Sequence, residues 1–151
     1  MSAALQTLLE LAERERDAAR AALMQAENLG NRALAQMEQL RAYQAEYHAK
    51  APGTAGRAAP IELLRCHQGF MGRLDQALVQ QQEAVRASDA ELLRRRQALQ
   101  HCELRLASVR KLLERRDTER LHSEARREQR RSDEAALQRR RPVLTGFGGL
   151  D

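Results

Sequence analysis

An apolar residue recurs at every seventh position between residues 64 and 113. The row reads Leu64, Met71, Leu78, Val85, Leu92, Leu99, Leu106 and Leu113. A seven-residue repeat places one apolar stripe along a helix, which is the pattern of a helix in a coiled coil. The second row lies three residues later and reads His67, Leu74, Gln81, Ser88, Arg95, Cys102, Val109 and Arg116. Because the second row is only partly apolar, the repeat predicts a long helix with a narrow contact seam.

The composition favours long helices over a compact mixed fold. Aromatic residues make up 3% of the chain, tryptophan is absent, and there are three prolines and eight glycines. Cys66 and Cys102 would lie roughly 54 Å apart on one helix, too far for a disulfide within the chain. We find no leader peptide and no apolar run long enough to cross a bilayer. These features predict a soluble protein of the reducing cytoplasm.

A second helix is predicted from about residue 5 to residue 48. Its first seam row reads Leu5, Ala12, Ala19, Ala26, Ala33, Leu40 and Tyr47, and its second reads Leu8, Glu15, Ala22, Leu29, Gln36 and Tyr43. Prolines and glycines interrupt the pattern at residues 50–60 and permit a chain reversal. The prediction is an all-α fold, a long two-helix antiparallel coiled coil. Residues 1–141 form a single domain with the second helix at about 61–141, and residues 142–151 form a flexible tail.

An antiparallel pairing makes the numbers of facing residues add up to a constant. A constant of 114 centres the reversal at residue 57 and sets Leu40 against Leu74 and Leu8 against Leu106. It also sets Glu15 against Leu99, which is unfavourable unless the carboxylate reaches Arg95. The first helix then ends opposite about residue 109. Gly30 lies inside the first helix, where glycine costs about 1 kcal/mol relative to alanine, so it is predicted to be a weak point.

The positive charge of the chain is concentrated in its last third. Residues 110–150 contain twelve basic and seven acidic side chains, against a net charge of +5 for the whole chain. Residues 114–141 contain little apolar material, and opposite charges lie four positions apart in the pairs Arg115–Glu119, Arg120–Glu124 and Arg130–Glu134. Each such pair stabilises a helix by only about 0.2–0.5 kcal/mol. We therefore predict that residues 114–141 form a protruding basic arm.

Catalytic, cofactor and metal sites are not predicted. The glycines at residues 53–56 and 146–149 follow no strand and precede no lysine, so they do not form a phosphate-binding loop. The adjacent pairs Cys66–His67 and His101–Cys102 each point to different faces of a helix and have no further ligand one turn away. A dimeric coiled-coil protein that binds nucleic acid or acts as a scaffold is an alternative, given the arginine triplets at 94–96 and 139–141. Acidic residues are interleaved through most of the arm, however, and the arm has no aromatic residues for base stacking.

Two aromatic elements flank the predicted reversal. Tyr43 and Tyr47 lie one turn apart, and one stripe beside the seam contains Phe70, Leu74, Ala77 and Gln81. Gly69 and Gly72 flank the phenylalanine and would leave the backbone around it exposed. Either Phe70 packs against the tyrosines and closes the end of the hairpin, or it is an exposed anchor for a partner protein.

These elements, in this order, resemble the FliJ family of bacterial flagellar export proteins over about residues 5–140. The resemblance rests on Leu40-x-x-Tyr43-x-x-x-Tyr47, a Pro/Gly break, and Gln68-x-Phe70-x-x-x-Leu74-x-x-Ala77. It implies a fold similar to the coiled coil of the gamma subunit of rotary ATP synthases. It also implies a non-catalytic stalk without cofactors, located at the cytoplasmic face of the inner membrane at the flagellar base. The stalk of a virulence type III secretion system is an alternative of the same fold.

The resemblance also implies the partners and the residues that bind them. The partners are the hexameric flagellar export ATPase, the cytoplasmic domain of the export-gate membrane protein and export chaperones, without nucleic acid or a small-molecule substrate. The export gate would contact Phe70, Leu74, Ala77 and Gln81. The companion residues on the first helix would be Gln36, Leu40, Tyr43 and Tyr47. The ATPase would face the basic residues Arg110, Lys111, Arg115, Arg116, Arg120, Arg126 and Arg127.

Overall fold

The computed structural model of the chain describes residues 2–53 and 59–140. It contains two helices, α1 (Ala3–Ala49) and α2 (Ile61–Arg140), and no strand among the described residues. The helices are antiparallel, since Tyr47 near the end of α1 contacts Phe70 near the start of α2. The predicted fold class, an all-α helical hairpin, is confirmed. The predicted flexible tail, residues 142–151, lies outside the described residues.

The boundaries of the helices follow from the residues that end them. The backbone amide of Lys50 still donates to the carbonyl of Glu46, and Gly53 then adopts a left-handed φ of 88° that side chains disfavour. Pro60 has no amide hydrogen to donate, and its carbonyl accepts from the amides of Leu63 and Leu64 at 3.1 and 3.2 Å. Pro60 therefore lies where a helix start tolerates proline.

Backbone contacts divide the chain into two units. The hairpin unit consists of Leu11–Leu106, and the terminal unit combines Met1–Glu10 with Ala107–Asp151. The prediction of a single domain over residues 1–141 therefore stays a prediction. In the hairpin unit, each first-row position of α2 from residue 64 to residue 106 is buried or half-buried. The buried hydrophobic residues of this unit are Ala12, Ala26, Leu74, Leu78 and Leu106.

The seam of α1 differs from the prediction in its second half. The first row is buried or half-buried from Ala12 to Leu40, as predicted. The second-row positions Leu29, Gln36 and Tyr43 are exposed, and the half-buried positions are instead Leu23, Gly30, Met37 and Gln44. An ideal α-helix drifts by about 20° per heptad relative to a strict seven-residue repeat. The contact face therefore moves to the next residue along α1, and the predicted second row is wrong beyond Ala22.

The pairing of the helices lies about one turn further along α2 than predicted. The Glu15 carboxylate accepts from Arg105 Nη1 at 3.2 Å, whereas Arg95 donates to Glu91 on its own helix at 2.8 Å. A Cβ atom placed on Gly30 would lie 3.4 Å from Ser88 Oγ. Ser88 follows position 84, the predicted partner of Gly30, by four residues. Gly30 is therefore a half-buried seam residue that faces Ser88 of α2.

The terminal unit contains a short paired segment followed by an exposed helix. Leu5 and Val109 are buried, and Leu113 is half-buried. A surface cavity of about 220 Å³ is lined by Ser2, Leu5, Leu113, Arg116, Asp117 and Arg120. The start of α1 therefore reaches about residue 120 of α2, further than the predicted residue 109. All described residues from 124 to 140 are exposed, although they remain helical.

Candidate protein-binding surfaces

An aromatic pair lies where the two helices of the hairpin unit approach the reversal. The ring centroids of Tyr47 and Phe70 are 4.9 Å apart at an interplanar angle of 61°, an edge-to-face arrangement. Such pairs stabilise a fold by about 0.5–1.5 kcal/mol beyond the burial of their area. Phe70 keeps 36% and Tyr47 keeps 41% of its surface exposed. Both features predicted for Phe70 are therefore present, packing against a tyrosine and an exposed aromatic surface.

The rest of the predicted gate stripe lies in the seam rather than beside it. Leu74 is only 8% exposed, and Ala77 and Gln81 are half-buried. The reason is visible in the spacing, because Leu74 and Gln81 are also second-row positions of the heptad repeat. Among the four residues of the stripe, Phe70 is the exposed one, and the other three lie in the seam.

Gln81 connects the two helices by hydrogen bonds. Its Nε2 donates to the backbone carbonyl of Ala33 at 2.8 Å and to Oε1 of Gln36 at 3.2 Å. A half-buried amide with both of these acceptors does not leave a donor unsatisfied in the seam. The predicted motif residues Gln36 and Gln81 are therefore brought together, and their contact is within the chain.

The other companion residues of α1 differ in exposure. Leu40 is half-buried in the seam, whereas Tyr43 keeps 44% of its surface exposed. The hydroxyl oxygen of Tyr43 accepts from Gln39 Nε2 at 3.3 Å. Tyr43, Tyr47 and Phe70 thus present aromatic surface to solvent in the hairpin unit.

A groove in the hairpin unit was not anticipated from the sequence. It has a volume of about 720 Å³. Its lining consists of Arg41, Gln44, Ala45, His48, Ala51, His67, Gln68, Met71, Gly72 and Asp75. Neither Tyr47 nor Phe70 belongs to this lining, so the groove and the aromatic pair are separate features. The sequence signal that could have indicated the groove is Gly72, a helical glycine without a turn to explain it.

The basic residues predicted to face the ATPase all lie on exposed positions of α2. Arg116 and Arg120 line the cavity beside Leu5, and Arg120 Nη2 lies 4.0 Å from an Asp117 carboxylate oxygen. Further along the arm, Arg126 Nε donates to the carbonyl of His122 at 3.4 Å. The arm therefore presents its positive charges to solvent on a helix.

In the ion pairs between helix residues three or four positions apart, the order of the two charges is the same. The acidic residue precedes the basic one in the pairs Glu46–Lys50, Glu83–Arg86, Glu91–Arg95 and Asp117–Arg120. The sequence analysis predicted a pair between Arg120 and Glu124, but Arg120 pairs with Asp117. An acid four residues before a base is the more favourable order, consistent with the helix dipole. At the end of α1, the hydrogen bond that Lys50 Nζ donates to the Glu46 carboxylate raises the pKa of Lys50.

The described residues hold no group of three or more potential metal ligands. Both cysteines are free thiols, with Cys66 exposed and Cys102 half-buried. Among the described helices, none is long and apolar enough to cross a membrane.

Comparison with known proteins identifies the family of the chain. The family model of the flagellar FliJ protein matches residues 1–141. A search of curated proteins found no match. The match covers both helices, the reversal between them and the basic arm, and the family is one of non-catalytic proteins related to flagellar export. The chain therefore belongs to the FliJ family and is a stalk protein related to flagellar export.

Proposed function

We propose that the chain is the central stalk of the flagellar type III export ATPase complex. It binds the hexameric export ATPase, promotes its assembly and turnover, and couples it to the cytoplasmic domain of the export gate. It also binds export chaperones and acts at the cytoplasmic face of the inner membrane at the flagellar base, where it supports motility. Membership of the FliJ family is the observation that carries this proposal.

The basic arm supports the ATPase side of the proposal. Residues 124–140 are exposed, and helix without a packed face gains little stability from its own contacts. An exposed run of arginine side chains attracts an acidic protein surface and accelerates association with it. The arm is thus suited to bind a protein partner rather than to stabilise the hairpin.

The aromatic surface supports the export-gate side of the proposal. Phe70 is held by Tyr47 and still exposes about a third of its surface. Aromatic side chains fixed in place lose little conformational freedom on binding, which is one reason why they dominate the energetics of interfaces. Leu74, Ala77 and Gln81 would then position Phe70 from within the seam.

The ATPase side is tested with purified export ATPase in the presence and absence of the chain. We expect the chain to raise both ATP turnover and the hexamer fraction, measured by phosphate release and sedimentation. The double variant Arg126→Glu, Arg127→Glu should reduce both effects. The variant Arg65→Glu, Arg73→Glu makes the same charge change on exposed positions of the hairpin unit and should retain them. Unchanged ATPase behaviour on addition of the chain would overturn the proposal.

The gate side is tested by binding of the purified cytoplasmic gate domain. We expect Phe70→Ala to weaken binding by about tenfold, a typical loss for an aromatic anchor, while the helical content stays unchanged. Val79→Ala is the matched control, because Val79 is an exposed apolar residue of α2 outside the stripe, with 60% of its surface exposed. Equal binding by the Phe70 variant and the wild-type chain would remove Phe70 from the interface.

A further inference from the structure

The glycines of the two helices differ in what surrounds them. Gly30 faces Ser88 at close range, as described above. Gly69 and Gly72 lie in the interior of α2, and a Cβ atom on either would meet no atom within 4 Å. Neither has the left-handed φ that favours glycine. Glycine in a helix interior costs about 1 kcal/mol relative to alanine, so contacts inside the described chain do not offset the cost of Gly72.

Gly72 lines the groove of the hairpin unit, and the missing side chain keeps that groove open. The volume of about 720 Å³ lies within the range of about 300–1,000 Å³ typical of ligand pockets. Met71, Ala45 and Ala51 supply apolar surface along the lining. Glycine is common where a ligand or another backbone approaches closely. The groove thus has space, an apolar wall and a point of backbone access.

The polar side chains that line the groove include hydrogen-bond donors without a partner among the described residues and a carboxylate that already accepts a hydrogen bond. The Asp75 carboxylate already accepts from Gln44 Nε2 at 2.5 Å. The side chains of Arg41, His48 and His67 form no hydrogen bond or ion pair with the described residues. Guanidinium and imidazole N–H groups both donate to carboxylates. Three donor side chains against one lining carboxylate therefore favour a ligand with carboxylate groups.

We propose that this groove is a docking site for an acidic amphipathic peptide segment of a partner protein. A carboxylate side chain of the segment binds among Arg41, His48 and His67. An adjacent apolar side chain packs against Met71, and the peptide backbone passes over Gly72. The proposal does not depend on the role of Phe70, because the aromatic pair does not line the groove.

The test uses the full chain and a short fluorescein-labelled peptide of alternating glutamate and leucine residues. Fluorescence anisotropy measures affinity, and amide NMR shifts identify where the peptide binds. We expect the largest shifts at the groove residues of α1 and α2. Replacing glutamate by glutamine in the peptide should weaken binding by about tenfold, as loss of close charge pairing does.

Two glycine variants provide the decisive comparison. Gly72→Leu places a side chain in the groove and should weaken binding by about fivefold, on the order of one blocked apolar contact. Gly69→Leu makes the same change at an equally open helical position outside the lining, and it should leave affinity within about twofold. Arg41→Glu should abolish the preference for the acidic peptide. Circular dichroism checks that each variant remains helical.

Three outcomes would overturn the proposal. The first is a set of NMR shifts confined to the basic arm. That result would mean that the peptide binds the arm by charge attraction alone and does not bind in the groove. The second is equal weakening by Gly69→Leu and Gly72→Leu, which would indicate a general effect on the helix. The third is equal affinity for the glutamate and glutamine peptides, which would remove the carboxylate from the recognition.

Discussion

Residues 64–106 and residues 124–140 belong to the same helix, α2, but they are helical for different physical reasons. In the first segment, the apolar residue at each first-row position of the repeat is buried or half-buried. In the second, every residue is exposed, and local side-chain interactions are what support the helix. Packing of an apolar face supplies most of the stability of protein helices, whereas single charge pairs supply tenths of a kcal/mol. One segment therefore holds the fold, and the other is free to serve a partner.

The largest expected difference between the two segments is in the free energy of unfolding. It comes from substitution in the first row of residues 64–106. Leu106 is 3% exposed, and Leu106→Ala should lower the free energy of unfolding by about 3 kcal/mol through lost burial and a cavity. Leu104 lies two residues away on the same helix, is 63% exposed, and serves as the matched control. Leu104→Ala should change the free energy of unfolding by less than about 0.5 kcal/mol. Urea unfolding followed by circular dichroism measures both, and equal losses would contradict the assigned seam.

A smaller effect is expected from the aromatic pair. A double-mutant cycle with Tyr47→Ala and Phe70→Ala should give a coupling energy of about 1 kcal/mol, because the two rings contact edge to face. The same cycle with Val79→Ala in place of Phe70→Ala should give no coupling. A coupling energy near zero for Tyr47 and Phe70 would mean that the contact does not stabilise the hairpin unit.

The sequence was sufficient for features that depend on one helix alone. The seven-residue repeat identified the buried face of α2, because the repeat and the face have almost the same period. The Pro/Gly break between residues 50 and 60 identified the reversal, since neither residue type favours a helix interior. The positions of Tyr47 and Phe70 on either side of that break made their contact one of the two predicted arrangements, and the rings do pack together.

Features that depend on both helices were not predictable in the same way. The partner of Glu15 is Arg105 rather than Arg95 because the pairing lies about one turn along from the predicted register. The groove was missed because Arg41, His48 and His67 are unremarkable on their own helices and lie around one groove only in the observed pairing. The seam of α1 moved from Leu29 to Gly30 because the helix drifts relative to a strict repeat. Each of these errors is a difference of register or rotation, and none alters the fold.

The register itself is tested by an ion pair between the helices. Glu15 and Arg105 are 3.2 Å apart, and their side chains are 36% and 50% exposed. A double-mutant cycle with Glu15→Gln and Arg105→Gln should therefore give a coupling energy of only about 0.5 kcal/mol, and salt should weaken it. Glu15→Gln with Arg95→Gln should give none. Coupling to Arg95 instead of Arg105 would restore the register that the sequence alone suggested.

The smallest effect on stability is expected from removal of the exposed segment. A chain that ends at residue 123 loses residues 124–151. Because all described residues of that segment, 124–140, are exposed, its free energy of unfolding should change by less than about 0.5 kcal/mol. The same truncation removes Arg126 and Arg127 and keeps the other five basic residues assigned to the ATPase side, so it should reduce stimulation of the export ATPase. In the full chain, amide exchange within 124–140 should be orders of magnitude faster than around Leu74 and Leu78, because opening the arm breaks no packed contact. Slow exchange in the arm, or a large loss of stability on truncation, would mean that this segment packs against protein in solution. The distinction between a segment that holds the fold and a segment that serves a partner would then fail.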